Sequence, residues 1–156
     1  MANELGSKSM AGTTRTKSRV RKPKASWLIG GAENTADLIL KIKTGFPIST
    51  FDFFVEQTGL GSDAIARALQ IPARTLSRRR DEGRLHADES DRLVRIARIF
   101  ELDLGLFEGN VDMARVWLTS AQPALGGSTP LDYASTEIGA REVEALIGRL
   151  EYGIPS

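Results

Sequence analysis

The sequence contains no cysteine, which excludes disulfides, thiolate metal ligands and thiol nucleophiles. His86 is the only histidine, so we expect no zinc site, and we expect this residue at the surface or at a helix cap. The sequence also lacks a phosphate-binding loop and other motifs for activated chemistry, although paired carboxylates are not excluded. An enzyme is therefore the weakest of the candidate function classes, and no cofactor or metal is expected.

Long apolar runs are absent as well. No stretch approaches the roughly 20 residues that span a bilayer, and the N-terminal residues lack the apolar core of a secretory signal. We therefore expect a cytoplasmic protein without a membrane partner. The absence of cysteine fits this location.

Charge is unevenly distributed, although the formal net charge is only +1. Residues 1–26 carry seven Lys or Arg and a single acid, Glu4, so this segment has a net charge of +6 and the remainder −5. Such a segment cannot bury enough apolar surface to fold alone, which predicts a disordered basic tail. The tail either adds phosphate contacts to a DNA-binding domain or serves as a solubilising leader.

Apolar residues recur with the period of an α-helix beyond the tail, and no period-two strand pattern persists, so the predicted fold is all-α. We expect a short helix within an extension of residues 27–47, capped by Asn34 and ended by Gly45. Further helices are expected from Ile48, after a Ser62 cap, from Ala73 to Gly83, from Asp88, after an Asn110 cap, and after Gly139. Leu150 is expected to face inward on the last helix.

Two of these helices match a helix-turn-helix module of the Cro/C1 type, assigned to residues 48–109. Ile65, Ala66, Leu69, Ile71 and Leu76 have its spacing, with a small residue where the second helix crosses the first. Gln70 departs from the pattern, because many such turns have glycine here to allow a positive φ. The second helix would enter the major groove, with base contacts from Arg74, Thr75, Ser77 and Arg78 and phosphate contacts from Arg79, Arg80 and Arg84.

The string Gly59-Leu60-Gly61-Ser62-Asp63-Ala64 reads as G-x-G-x-x-A, the fingerprint of dinucleotide-binding folds. That motif needs a preceding strand in a parallel sheet. Here an amphipathic helix precedes it, so nucleotide binding is not predicted.

Residues 110–156 form the small C-terminal helical domain, which is acidic. Its strings Trp117-Leu118, 125–132 (LGGSTPLD) and 150–153 (LEYG) resemble the toxin-binding domain of the MbcA/ParS/Xre antitoxins. Upstream, residues 71–79 (IPARTLSRR) and 93–98 (LVRIAR) resemble the helix-turn-helix portion of Xre antitoxins. The resemblance covers about residues 48–156.

This resemblance implies the antitoxin of a type II toxin-antitoxin system, which neutralises a RES-domain toxin that consumes NAD and represses its own operon. We expect the last helix and the chain end to cover the toxin's active site, whose pyrophosphate pocket should be cationic. The expected toxin-binding residues are Glu142, Glu144, Arg149, Glu151, Tyr152, Ile154 and Ser156. Alternatively, these acids only keep the helix solvated.

A stand-alone helix-turn-helix transcription regulator is the alternative function, with the C-terminal domain used for dimerisation or effector binding. In both cases a homodimer is expected, because two recognition helices one DNA turn apart read a palindrome. With the toxin, the dimer would form a larger hetero-oligomer.

Overall fold

The computed structural model describes residues 31–153, and within this range the chain folds into eight α-helices and one 3-10 turn. The helices are α1 (Thr35–Thr44), α2 (Ile48–Thr58), α3 (Ser62–Ala68), α4 (Ala73–Glu82), α5 (Ala87–Leu106), α6 (Val111–Leu118), α7 (Pro130–Tyr133) and α8 (Glu137–Glu151), with the 3-10 turn at Pro123–Leu125 between α6 and α7. This part of the chain has no strand, only one isolated bridge between Pro47 and Arg84. The all-α prediction is confirmed. The predicted basic tail of residues 1–26 lies outside the described residues, as do Ile154 and Ser156.

Side-chain caps begin several helices where the sequence predicts them. The side chains of Asn34, Asn110 and Thr129 each accept a hydrogen bond from a backbone N–H in the first turn of α1, α6 and α7. Three predicted starts are wrong by one to three residues, and one of them is α5, which begins at Ala87 and not at Asp88. Gly61 takes the cap position of α3 in place of Ser62, and α8 begins at Glu137 after a Thr136 cap, so Gly139 lies inside its first turn.

One hydrophobic core runs through the whole described part of the chain. The long helix α5 lies at its centre and packs against α1, α2, α6 and α8. The rings of Phe54 on α2 and Phe100 on α5 meet edge to face, with centroids 6.2 Å apart. Helix α3 packs against α7, so the helix-turn-helix part and the C-terminal helices share this core. No helix among residues 31–153 has the length and apolarity needed to cross a bilayer.

The loop between α1 and α2 is joined to the loop between α4 and α5 by backbone hydrogen bonds. The N–H of Leu85 donates to the carbonyl of Phe46 at 2.8 Å, and the N–H of Ile48 donates to that of Gly83 at 3.0 Å. Gly45 has a φ of 86°, and a Cβ there would collide with the carbonyl oxygen of Leu85. These contacts hold α1 beside the end of α4.

The turn at Gly126-Gly127 has a different role from the predicted one. The sequence suggests that these glycines let two helices approach closely, but a Cβ at either position would meet nothing within 4 Å. Both have positive φ, 64° and 86°, so the turn needs glycine for its backbone conformation. The close approach occurs instead at Gly139, where a Cβ would collide with the carbonyl oxygen of Tyr133.

Candidate functional site

The first candidate surface is the outward face of α4, the second helix of the helix-turn-helix. Leu76 is buried and fixes which side of α4 faces the core, whereas Arg74, Ser77 and Arg78 are exposed and Thr75 is half-buried. Arg74 and Arg78 are four residues apart, so their side chains are neighbours on the helix surface. Arg78 has an acidic neighbour, Glu82, with its Nε 3.9 Å from Oε1. This face offers a pair of exposed guanidinium groups of the type that contacts DNA.

The turn before α4 has the backbone conformation that the motif requires. Gln70 has a φ of 56°, in the left-handed region that glycine favours. The carbonyl of the neighbouring Leu69 accepts a hydrogen bond of 2.8 Å from Nη1 of Arg92 on α5. The N–H of Ile71 donates to the carbonyl of Ala66 at 2.8 Å, next to the small side chain at the helix crossing.

Arg79 contradicts the expectation that it is available to phosphates. Its side chain is buried and lies on the same side of α4 as Leu76, three residues earlier. The guanidinium binds the carboxylate of Glu89 at the start of α5, with Nε to Oε2 and Nη2 to Oε1 both at 2.8 Å. The sequence signal for this burial was the spacing from Leu76, which places both residues on the core-facing stripe.

Arg80 is exposed, but it already has partners. Its Nη1 donates to both carboxylate oxygens of Asp52 on α2, at 2.9 and 3.0 Å. The guanidinium also lies over the ring of Phe51, 5.9 Å from its centroid. Arg84 donates through Nη1 to the carbonyl of Gly45. Both arginines therefore connect the end of α4 to neighbouring elements while keeping part of their surface accessible.

His86 lies at the N-cap position of α5, which agrees with the expectation of a surface or cap residue. Its backbone N–H donates to Oε2 of Glu89 at 2.8 Å. Its Nδ1 lies 3.1 Å from Nη2 of Arg79, and its Nε2 lies 3.4 Å from Oε2 of Glu82.

The second candidate surface is the outward face of α8. Glu142, Arg149 and Tyr152 share this face, away from the buried residues Val143 and Ile147, because Arg149 follows Glu142 by seven residues, two helical turns, and Tyr152 follows Arg149 by three. Tyr152 is 79% exposed, Glu142 is exposed and Arg149 is half-buried.

Sequence reasoning missed Ile138 on the same face of α8. Its side chain is 79% exposed, and Ala145 and Tyr152 follow it at seven-residue intervals. Leu150 was expected to face inward, but its side chain is 43% exposed, so this expectation is wrong. The signal for Ile138 was an apolar residue that falls outside the buried stripe of an otherwise amphipathic helix.

Two other expected toxin-binding residues, Glu144 and Glu151, differ in their surroundings. Glu144 is half-buried and faces α5, with Oε1 3.9 Å from Nε of Arg98. Glu151 is exposed near the end of α8. Arg95 on α5 is half-buried, and its Nε lies 3.0 Å from Oε2 of Glu137, so it joins α5 to α8.

An open apolar groove of about 380 Å³ lies beside α6. Phe107, Met113, Val116 and Trp117 line it, and Met113 and Val116 are among the exposed apolar residues of the described chain. This groove adds apolar surface to the C-terminal part of the molecule.

Asp103 on α5 is fully buried, and neither of its carboxylate oxygens has a hydrogen-bond partner within residues 31–153. Burial raises the pKa of this carboxyl to about 8, because the charged form loses its hydration. The group is therefore protonated in the folded protein at neutral pH.

Comparison with known proteins matches both parts of the fold to one group of proteins. Residues 37–98 match the antitoxin Xre-like helix-turn-helix domain, and residues 105–153 match the antitoxin Xre/MbcA/ParS C-terminal toxin-binding domain. An "Antitoxin Xre" from Yersinia enterocolitica is 36% identical over 85% of this chain and 92% of its own length. Another, from Photorhabdus laumondii, is 36% identical over 74% of this chain and 78% of its own.

Proposed function

Because the chain belongs to the Xre family of antitoxins, we propose that it neutralises a RES-domain toxin that consumes NAD, and that it represses its own operon by binding operator DNA. In this proposal the C-terminal helices, within residues 110–156, bind the toxin. The helix-turn-helix part, within residues 48–109, binds the DNA. The proposed location is the bacterial cytoplasm, where the operator is found.

The observation that carries the toxin-binding part is the outward face of α8. Ile138 and Tyr152 leave most of their apolar surface in water, inside the segment that matches a toxin-binding domain. A tyrosine and an arginine side by side, here Tyr152 and Arg149, are typical of the energetic centre of a protein interface, and Ile138 adds exposed apolar surface at the start of the helix. Glu142 and Arg149 lie on the same face and would supply the charged contacts around this centre.

Inhibition follows in this proposal from covering the toxin's active site. An NAD-binding pocket must hold a pyrophosphate, so cationic groups should line it, and Glu142 or Glu151 would approach them as anions. Ile154 and Ser156, which follow α8 in the sequence, are further toxin contacts in this proposal.

The DNA-binding part is supported by the outward face of α4. Arg74 and Arg78 are exposed neighbours there, on a helix that Leu76 and Arg79 hold against the core. An arginine in the major groove reads guanine through two hydrogen bonds, and Thr75 and Ser77 would add further polar contacts. Two copies of the chain would present two such helices to a palindromic operator.

The test of this function is co-expression with the product of the neighbouring gene, followed by copurification and a measurement of NAD consumption by that product with and without this chain. A stable complex and suppressed NAD loss are the expected results. A neighbouring protein that neither binds this chain nor consumes NAD would overturn the RES-toxin proposal. If DNA upstream of the gene is still bound in that case, a stand-alone transcription regulator becomes the better description.

A further inference from the structure

The buried pair of Arg79 and Glu89 joins the recognition helix α4 to the first turn of α5. Both side chains are only 6% exposed, and three N–O distances of 2.8 to 3.0 Å connect the guanidinium to the two carboxylate oxygens. Glu89 also accepts the backbone N–H of His86. The pair therefore connects α4, the loop after it and the cap of α5.

The charges of this pair stabilise each other. Burial alone would raise the pKa of Glu89, but hydrogen bonds from Arg79 and from the His86 backbone outweigh it and hold this pKa below its usual value. The same contact with Glu89 raises the pKa of Arg79. Both groups are therefore charged in the folded protein at neutral pH.

A buried ion pair is a poor way to gain stability, because removing two charges from water costs about as much as their attraction returns. Two apolar side chains of similar volume would fill the same space, but they would let α4 shift relative to α5. A guanidinium that forms a fork with a carboxylate accepts only one relative orientation. The geometry of this pair therefore constrains the orientation of α4 relative to the first turn of α5.

From this geometry we infer that Arg79 is a positioning residue for DNA recognition: its pairing with Glu89 sets the orientation at which α4 presents Arg74 and Arg78, and so determines sequence specificity. The inference rests on the proposed DNA binding. Arg78 directly precedes Arg79, so a rotation of α4 that breaks the fork also displaces the neighbouring base-reading side chain. Hydrogen bonds to base edges tolerate little displacement, whereas phosphate contacts tolerate more.

The experiment compares the wild type with two variants of the pair and one control. The double variant Arg79→Met with Glu89→Leu replaces the pair by apolar groups, and Arg79→Lys keeps the charge but removes the fork. Arg78→Ala is the control for a residue that contacts DNA. For each full-length protein, affinity is measured over a range of salt concentrations for the DNA directly upstream of the gene and for a non-specific duplex of equal length. Thermal unfolding and binding of the neighbouring gene product are followed in parallel.

Both pair variants should keep their fold and partner binding, and the double variant should unfold at a slightly lower temperature than the wild type, because Glu89→Leu also removes the acceptor of the His86 N–H. Their ratio of specific to non-specific affinity should fall by about 10-fold or more, which is the loss of one well-formed base contact. Their salt dependence on non-specific DNA should stay unchanged, and Arg78→Ala, which removes a base contact directly, should lower the ratio of specific to non-specific affinity by a similar factor.

A double variant that keeps the wild-type specificity ratio would overturn the inference, because the pair would then only fill the core. A reduced salt slope in the double variant, which removes the charge of residue 79, would also overturn it, since Arg79 would then be a phosphate contact. A wild type that shows no preference for the upstream DNA would instead refute the proposed DNA-binding function itself.

Discussion

Gly139 lies so close to the carbonyl oxygen of Tyr133 that a Cβ at this position would overlap it. The contact occurs where the short helix α7 meets the first turn of α8, and Gly139 is buried there. Because the obstacle is a backbone atom, it cannot move aside as a flexible side chain would. The approach of α7 to α8 therefore requires glycine.

Gly139→Ala should lower the free energy of unfolding by about 1 to 3 kcal/mol, since the two helices would have to separate. Gly148→Ala is a matched control in the same helix, where a Cβ would meet nothing within 4 Å. That control should raise the free energy of unfolding by about 0.5 to 1 kcal/mol through helix propensity. Equal effects of the two substitutions in chemical denaturation would contradict the close contact at Gly139.

Arg74→Ala and Arg78→Ala should each weaken binding to the upstream DNA by about 1 to 3 kcal/mol, because each removes an exposed guanidinium from the outward face of α4. Neutralisation of the neighbouring toxin should be unchanged, since both residues lie outside the C-terminal helices. Mobility-shift titrations and the NAD assay measure the two activities. Loss of both at once would indicate misfolding and would argue against a base-reading role.

Ile138→Asp should weaken toxin binding by at least about 2 kcal/mol, roughly 30-fold, because it replaces an exposed apolar side chain at the start of α8 by a charge. Leu40→Asp is the matched control, since Leu40 is also an exposed apolar residue but lies on α1, outside the part that matches the toxin-binding domain. Calorimetric titration of the two variants with the toxin distinguishes the surfaces. A larger effect from Leu40→Asp would move the toxin-binding surface to α1.

Asp103 should make the folded protein less stable as the pH rises from about 4 to about 8. An unfolded chain loses this proton near pH 3.9, but the buried carboxyl keeps it until pH about 8. In this window folding requires proton uptake, so the free energy of unfolding falls by up to about 1.4 kcal/mol per pH unit. Below about pH 4 the carboxyl is protonated in both states and the cost disappears.

Asp103→Asn removes this titration. The difference in unfolding free energy between variant and wild type should therefore grow in favour of the variant between pH 5 and 7 and level off above about pH 8. Urea denaturation at a series of pH values measures it. Parallel stability curves for the two proteins would show that Asp103 does not titrate in this way.

Gln70 holds a left-handed backbone conformation, with a φ of 56°, that costs a non-glycine residue about 1 to 2 kcal/mol. Gln70→Gly should therefore raise the free energy of unfolding, by about 0.5 to 1 kcal/mol after the greater freedom of glycine in the unfolded chain is included. Gly83→Ala, at a φ of 78° with open space around it, should have the opposite sign. Thermal unfolding of the wild type and both variants measures these opposite changes in stability.

Much of the helical plan could be predicted from local signals, because caps such as Asn34 and Asn110 and stops such as Gly45 and Gly83 act within one turn of the chain. The positive φ at the Gln70 turn was recognisable for the same reason. The fate of Arg79 was harder to predict. An arginine in a basic run is expected to be exposed to solvent unless a partner is known. The partner of Arg79 is Glu89, which belongs to the next helix and is not indicated by local sequence.

The surfaces were predictable only in part. Glu142 and Tyr152 on α8 are exposed, as proposed contact residues should be, but Ile138 was overlooked because the last helix was predicted to begin only after Gly139. The partner of Arg95 was also hidden, since Glu137 lies 42 positions away in sequence. Such pairs follow from how helices pack, which local periodicity does not determine.

Helix α3 packs against α7, and α5 runs through the core that both parts of the chain share. This arrangement determines how the protein unfolds. A chain cut between residues 109 and 110 would expose apolar surface on both fragments, so neither half would keep its shape by itself. If heat or a protease unfolds either the helix-turn-helix part or the C-terminal helices, the other part should therefore unfold in the same cooperative transition. For the same reason, fusing the C-terminal helices to another DNA-binding domain would require that domain to provide the surface of α3 that packs against α7.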